Sequence, residues 1–300
     1  MKQARTCRLL WLLTPLCLAV LSFLARRWQL NTAFGGALQL PIPMAPATVL
    51  VSALWVLAAA FLLLLLLKTP LPHALREESR LALYAEEHYP FFGGVLCSAA
   101  LSLIAAPSLL VDGYRMWTEY QAHLALYGEQ IPGGNNGLLV LITAGTSALT
   151  FIALLVVAKV SFRDTAKGRL AVLFPAINGC LWLMEIYRSS APDPIRWNYA
   201  PLLLAIVSGI LFYLDWAALY AGVCAPRRTL WMAGMTVVFS ASALAGTRNF
   251  GSIMLLFSQL IAALAVLWTA PHNLSNPPEL PEQAAPLEEA EEKLEEESHE

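Results

Sequence analysis

Two carboxylic acids stand inside apolar segments of this chain, where an ionisable side chain is costly and often marks a functional site. They are Glu185 and Asp215, the only acidic residues within the eight long apolar stretches. Asp215 lies deeper in its segment and close to two aromatic residues, which makes it the better functional candidate. Its structural alternative is an ion pair with Arg169 or Lys159 at the same depth.

The spacing of these two acids argues against a shared site. At 1.5 Å per helical residue, Glu185 lies about 5 Å below the end of its segment at Arg188. Asp215 lies about 24 Å below the start of its segment at Tyr199. Arg188 and Tyr199 are at the same surface of the membrane, so the two depths can be compared directly. A difference in depth of about 20 Å excludes a catalytic dyad or a common proton site. Glu185 and Arg188 are i,i+3 neighbours and can pair with each other.

A milder polar layer does match in depth between neighbouring segments. Asn178 and Ser208 lie about ten residues from the same end of the fifth and sixth segments, and Asn178 stands between Pro175 and Gly179. Such residues either join helices by hydrogen bonds or line a polar cavity bounded by the fourth, fifth, sixth and eighth segments. The candidate substrate-binding residues are therefore Asn178, Ser208 and Asp215. Further polar residues at this level are Thr143, Ser147, Thr150 and Gln259.

Signatures of catalysis and of cofactor binding are missing from the sequence. All five His lie outside the apolar segments, which argues against intramembrane haem ligation and a membrane Ser–His pair. There is no H-E-x-x-H, Walker A or G-x-G-x-x-G motif. We predict that the chain is not an enzyme and that it binds no cofactor or metal. A membrane enzyme of another type stays as the weakest alternative.

The elements that must position these residues are transmembrane helices. A bilayer core about 30 Å thick requires about 20 mostly apolar residues per spanning helix. The sequence predicts an all-α integral membrane protein with eight transmembrane helices and no soluble domain, a membrane domain over residues 1–271 and an acidic Pro/Glu-rich tail over 272–300. The predicted spans are 7–25, 44–67, 90–111, 138–158, 169–187, 200–221, 229–246 and 250–270.

Charge divides the chain into a basic body and an acidic tail. Residues 277–300 contain ten Glu and one Lys, whereas the preceding body holds eighteen Lys and Arg against eleven Asp and Glu. Membrane loops explain the basic residues, so no nucleic-acid partner is predicted. Like charges in the tail repel, which predicts disorder. A short stripe of Leu287, Ala290 and Leu294 could dock on a protein partner.

The distribution of Lys and Arg predicts how the chain is threaded. With a cytoplasmic N-terminus, inner segments carry 13 of the 19 Lys and Arg residues and outer segments carry 6. This positive-inside bias predicts a multi-pass protein of the plasma membrane with both termini in the cytoplasm. The seventh span, 229–246, is the weakest because it contains Ser240, Ser242 and Gly246. We also predict a short polar helix within 72–89 and a separate interfacial helix within the outer loop 112–137.

Two classes of function fit these features. The polar layer and the Pro and Gly interruptions favour a small-solute transporter or the membrane subunit of a transport system. The scarcity of clustered intramembrane charge favours instead a non-catalytic scaffold or sensor component that recruits a partner through its acidic tail. Both place the chain in a lipid bilayer.

Overall fold

The computed structural model describes residues 2–35, 40–42, 44–69, 89–128, 135–160, 165–190, 196–220 and 226–275. These residues form eight helices and one two-residue antiparallel pairing of β1 (Phe34–Gly35) with β2 (Leu40–Pro41). The prediction of an all-helical membrane protein is therefore confirmed. The helices are α1 (Lys2–Thr32), α2 (Pro46–Lys68), α3 (Tyr89–Tyr127), α4 (Asn136–Val160), α5 (Thr165–Ser190), α6 (Arg196–Tyr220), α7 (Pro226–Leu244) and α8 (Phe250–Ser275).

Seven of these helices are long and apolar enough to cross a membrane, and α7 is not among them. Helix α7 instead has the most enclosed surface, since 13 of its 19 residues are buried. It packs against α1, α2, α6 and α8. A helix surrounded by protein needs no apolar face toward lipid, which explains how it accommodates buried Thr and Ser residues.

The remaining helices pack around α7 and α8. Helices α3, α4, α5 and α6 follow one another as neighbours, and α8 closes against α3, α1 and α7. Helix α2 lies at the periphery of the bundle, where only 22% of its most apolar stretch is buried. Indole hydrogen bonds hold it in place: Trp55 donates to Ser22 of α1 at 3.2 Å, and Trp231 of α7 donates to the Ala59 carbonyl at 3.3 Å.

Small residues allow several helix pairs to approach closely. A Cβ on Gly94 of α3 would lie 2.7 Å from the Cβ of Ala265 on α8. A Cβ on Gly113 would lie 2.9 Å from the backbone nitrogen of Leu141 on α4. Close approach of this kind is how membrane helices gain van der Waals contact when lipid already satisfies their apolar surface.

Two predicted boundaries differ from the structure. Helix α1 continues past the predicted end at residue 25 to Thr32, so Arg26 lies within it. Helix α3 runs unbroken from Tyr89 to Tyr127, so a separate interfacial helix within 112–137 is wrong: residues 112–127 extend the third helix. The predicted helix within 72–89, except its last residue, and the tail from residue 276 lie outside the described residues.

Candidate functional site

Asn178 joins α5 to α4 in the interior of the bundle. Its side chain is buried, and its amide oxygen accepts hydrogen bonds from Thr146 at 2.7 Å and Ser147 at 3.3 Å. Both hydroxyls also reach backbone carbonyls of their own helix, including that of Thr143. The contact is therefore a polar junction between two helices, of the kind that Ser, Thr and Asn commonly make in membranes.

Beside this junction lies a small polar cavity. Its volume is about 20 Å³, and about 10–15 Å³ suffices for one water molecule. Residues from five helices line it, namely Ser102, Thr150, Pro175, Asn178, Gly179, Trp182, Tyr213, Leu255, Ser258 and Gln259. The space admits a water molecule and excludes any larger solute in this conformation.

Two polar atoms in the cavity wall are buried without a hydrogen-bond partner. They are the hydroxyl oxygen of Thr150 on α4 and the indole nitrogen of Trp182 on α5. An unpaired buried polar group costs about 1–3 kcal/mol, so such groups are rare and need an explanation. Both residues line the cavity, so a small movement of either side chain would offer a hydroxyl or an indole N–H to whatever enters it.

The opposite wall is a network of serines that sequence reasoning missed. Ser258 of α8 bonds to Ser98 and Ser102 of α3 at 2.9 and 2.8 Å between hydroxyl oxygens. The hydroxyl of Tyr213 on α6 lies near those of Ser98 and Ser258. The signal that could have found this wall is the i,i+4 spacing of Ser98 and Ser102, which puts both on one helix face.

Gln259 extends the polar interior toward α7. Its amide nitrogen donates to the Ser240 hydroxyl at 2.8 Å and to the Ala205 carbonyl of α6 at 3.1 Å. Gly209 makes room for this amide, since a Cβ there would lie 3.0 Å from the Gln259 amide carbon. Ser240 of α7 and Gln259 of α8 thus satisfy each other.

The structure separates the other two candidate residues from this cavity. Ser208 is buried, but its hydroxyl donates to the Ala205 carbonyl of its own helix at 3.0 Å. Asp215 is also buried and accepts from the Arg228 guanidinium on α7 at 3.0 Å. Neither lines the cavity, whereas Asn178 does. Arg228 is a partner that the sequence analysis did not name, and the side chain of Arg169 lies outside the described residues.

Glu185 lies apart from Asp215, at the end of the bundle where α5 finishes. It is 8% exposed, and one carboxyl oxygen is buried without a hydrogen-bond partner. The Thr143 hydroxyl contacts its carboxyl group, and Asp112 of α3 lies within electrostatic range. A carboxyl group in this setting is held protonated or meets a cation, because an isolated buried charge is too costly.

Arg26 is the buried cation that sequence reasoning missed. Its side chain is 1% exposed, and it donates to the Gln29 amide oxygen and the Trp197 backbone carbonyl, each at 2.6 Å. Its Nε–H has no partner. The described partners of this guanidinium are both neutral oxygens. No described carboxylate lies within 4 Å of it. A signal was present: Ser22, Arg26 and Gln29 recur at helical spacing on one face.

The energetics of Arg26 are unfavourable without a counter-charge. Removing an ion from water costs several kcal/mol even after relaxation. The nearby C-terminus of α7 carries partial negative charge, but a helix end contributes only about 0.3–1 kcal/mol and at most about 2. Neutral acceptors and a helix end therefore leave part of the cost uncompensated.

The described residues contain no group of three or more His, Cys, Asp or Glu side chains positioned to hold a metal ion. Searches of protein-family models, curated proteins and solved structures found nothing that matches this chain.

Proposed function

We propose that this multi-pass membrane protein is a small-solute transporter or the membrane subunit of a transport system. The observation that carries the proposal is the polar cavity beside Asn178, whose lining residues Thr150 and Trp182 each have a buried polar atom without a hydrogen-bond partner. Polar groups near mid-bundle are costly in a membrane protein and commonly mark a solute or ion pathway. The proposal assigns no catalytic chemistry to the chain.

Transport requires the cavity to enlarge, since it now holds no more than a water molecule. Helix α5 contains a proline and a glycine at which it could bend and so widen the cavity. Pro175 cannot donate a backbone hydrogen bond, so the helix can bend there at low cost. Gly179, one turn later, is packed so closely that a Cβ would lie 2.7 Å from Ile210 of α6. A bend at Pro175 would shift Asn178 and Trp182 and widen the cavity between α4, α5 and α6.

We also propose that all eight helices span the membrane, with both termini on the cytoplasmic side of a plasma membrane. Helix α7 has 19 residues, or about 28 Å at 1.5 Å per residue. That length matches a hydrocarbon core of about 30 Å. Its enclosure by four other helices removes the need for the mean hydropathy that a lipid-facing span requires.

A non-catalytic scaffold or sensor component is the second candidate. The observation in its favour is the smallness of the same cavity, about 20 Å³, in an interior where most polar side chains already satisfy one another. In this reading the junctions at Asn178 and Gln259 fix the bundle permanently, and the acidic tail recruits a protein partner.

Cysteine accessibility distinguishes the two candidates without knowledge of the solute. All five native Cys would be replaced, and a single Cys introduced at Thr150 in the cavity wall. The matched control is Ala262→Cys on α8, one turn from Gln259 but buried in the apolar core. In proteoliposomes, a water-soluble methanethiosulfonate reagent should modify Thr150→Cys at least tenfold faster than Ala262→Cys.

A transporter opens its interior to water, so the rate difference follows from the proposed motion. Equal, very slow modification at both positions would show that the interior stays shut. That result would remove the transport proposal and leave the scaffold as the function to pursue.

A further inference from the structure

A second polar cavity lies at the end of the bundle where α1, α5 and α7 finish, with a volume of about 180 Å³. We propose that it binds a small oxyanion, a carboxylate or a phosphate group, through Arg26 and Arg248. The inference stands on its own observations and holds whether or not the interior opens for transport.

The Nε–Nη2 edge of the Arg26 guanidinium lies beside this cavity and is only partly occupied. Nη1 donates to Gln29 and Nη2 to the Trp197 carbonyl, but Nε has no partner. A Cβ added to Gly246 would lie 3.8 Å from Nη2 of Arg26 and 3.9 Å from its Nε. Gly246 lines the cavity and is exposed. The Nε–Nη2 edge is the side that accepts a carboxylate or phosphate with two parallel hydrogen bonds.

Further positive potential converges on the same space. Arg248, which follows Gly246 by two residues, lines the cavity and is exposed at its surface. Helix α8 begins at Phe250, and Ser252 of its first turn also lines the cavity. A helix N-terminus carries partial positive charge and favours anions. Two guanidinium groups and a helix end therefore surround one opening.

The two described acidic residues near this end, Asp112 and Glu185, do not pair with Arg26. Asp112 accepts from the Asn249 amide at 2.7 Å and faces Arg115 at 3.8 Å. Glu185 contacts Thr143 of α4. Neither acid lines the cavity. A bound oxyanion would supply the counter-charge that no described carboxylate gives to Arg26.

The size of the cavity restricts the ligand. Pockets for drug-sized molecules measure about 300–1,000 Å³, so this space suits a small ion or the head group of a larger molecule. Arginine is the residue of choice for planar, paired recognition of carboxylate and phosphate. A free oxyanion and a lipid phosphate share this chemistry, and the experiment must separate them.

Binding can be measured as thermal stabilisation of the full chain in nanodiscs of zwitterionic phosphatidylcholine. Sodium phosphate and sodium acetate would be compared with sodium chloride at equal ionic strength. At least one of the two oxyanions should raise the unfolding midpoint by several degrees with a saturable dependence on concentration. A parallel series in anionic phosphatidylglycerol nanodiscs tests the lipid source: a head group that occupies the site raises the midpoint and abolishes the response to added phosphate.

The decisive variant is Gly246→Leu, which fills the cavity beside the guanidinium while leaving the hydrogen bonds of Arg26 intact. It should weaken the response at least tenfold, and Arg248→Gln should weaken it several-fold. Arg115→Gln, which removes an exposed arginine outside the cavity, is the matched control and should respond like the wild type. Phosphate stabilises many proteins by exclusion from their surface. An equal response in Gly246→Leu and wild type, or no response in either nanodisc, would overturn the proposal.

Discussion

Among the described residues, three acidic or basic side chains are buried in this bundle, and each meets a different environment. Asp215 faces a cation, Glu185 contacts a hydroxyl group, and Arg26 contacts neutral carbonyl oxygens. The free-energy cost of burying a charge depends on the opposite charges and hydrogen bonds around it. Substitutions of these three residues should therefore change stability by different amounts. Asp215 already has an opposite charge, whereas Glu185 and Arg26 each retain an unpaired polar atom.

Substitutions of the Asp215–Arg228 pair should therefore be asymmetric. Asp215→Asn removes the buried charge and keeps the shape, so we expect it to fold with little loss of stability. Arg228→Gln leaves the buried carboxylate with less compensation and should cost about 1–3 kcal/mol. The exposure of Arg228, 60% of its side chain, places the cost toward the lower part of that range. Denaturant unfolding in detergent, with the double variant, measures both effects.

The Asp215→Asn variant can also be tested for function in a separate flux assay. If Asp215 carries a proton or a cation for transport, Asp215→Asn should fold normally and lose solute flux. Equal stability losses for the two single variants would contradict the proposed asymmetry.

At the residue scale, the sequence predicts how deep a side chain lies in the membrane better than it predicts which groups that side chain contacts. The Pro175–Asn178–Gly179 run drew attention to Asn178, and Asn178 lines the interior cavity. Ser208 has a comparable depth, but the rotation of α6 turns its hydroxyl to its own backbone. Arg26 escaped notice because an Arg-Arg pair resembles a helix end, although α1 continues for six more residues. Rotation about a helix axis follows from packing, which the sequence pattern does not report.

At the element scale, backbone contact between α3 and α4 makes a sharp prediction. A Cβ on Gly137 would lie 2.8 Å from both the Gly113 carbonyl oxygen and the Trp117 Cα. These are backbone atoms, so Gly137→Ala must separate the two helices, at about 1–3 kcal/mol. Gly145, two turns later on the same helix, has nothing within 4 Å. Gly145→Ala should be neutral or stabilising by about 0.5–1 kcal/mol, because Ala favours the helix.

Unfolding midpoints of the two variants in the same detergent would test this difference. Similar midpoints for Gly137→Ala and Gly145→Ala would show that the helix crossing is looser than the structure indicates.

Helix existence was predictable from hydropathy, but the length of α3 and the enclosure of α7 by other helices were not. Helix α3 has 39 residues, about 58 Å at 1.5 Å per residue, nearly twice the thickness of a bilayer core. Its extension past residue 111 is polar and so resembled a separate element. Helix α7 has the opposite character: it is short and contains several Thr and Ser residues, yet it is mostly buried. Hydropathy measures compatibility with lipid, and α7 contacts mainly other helices.

At the scale of the whole molecule, the polar cavities lie at two levels of one bundle. The cavity beside Asn178 is enclosed by α3, α4, α5, α6 and α8, whereas the cavity beside Arg26 involves α1 and the turn between α7 and α8. Helices α7 and α8 contact each other and connect the two groups of helices. Displacement of α8 would therefore affect both cavities at once.

The threading of the chain depends on whether α7 spans the membrane, and this can be tested directly. Single Cys residues would be placed at Gln121 on the extension of α3, at Arg163 between α4 and α5, and at Ser298 in the tail. With eight spans and a cytoplasmic N-terminus, an impermeant maleimide should label Gln121→Cys in intact cells. It should label Arg163→Cys and Ser298→Cys only after permeabilisation, because an even number of crossings returns the tail to the side of the N-terminus. Labelling of Ser298→Cys together with Gln121→Cys in intact cells would mean that α7 does not cross, and the reverse pattern at Gln121 and Arg163 would contradict the charge-based orientation.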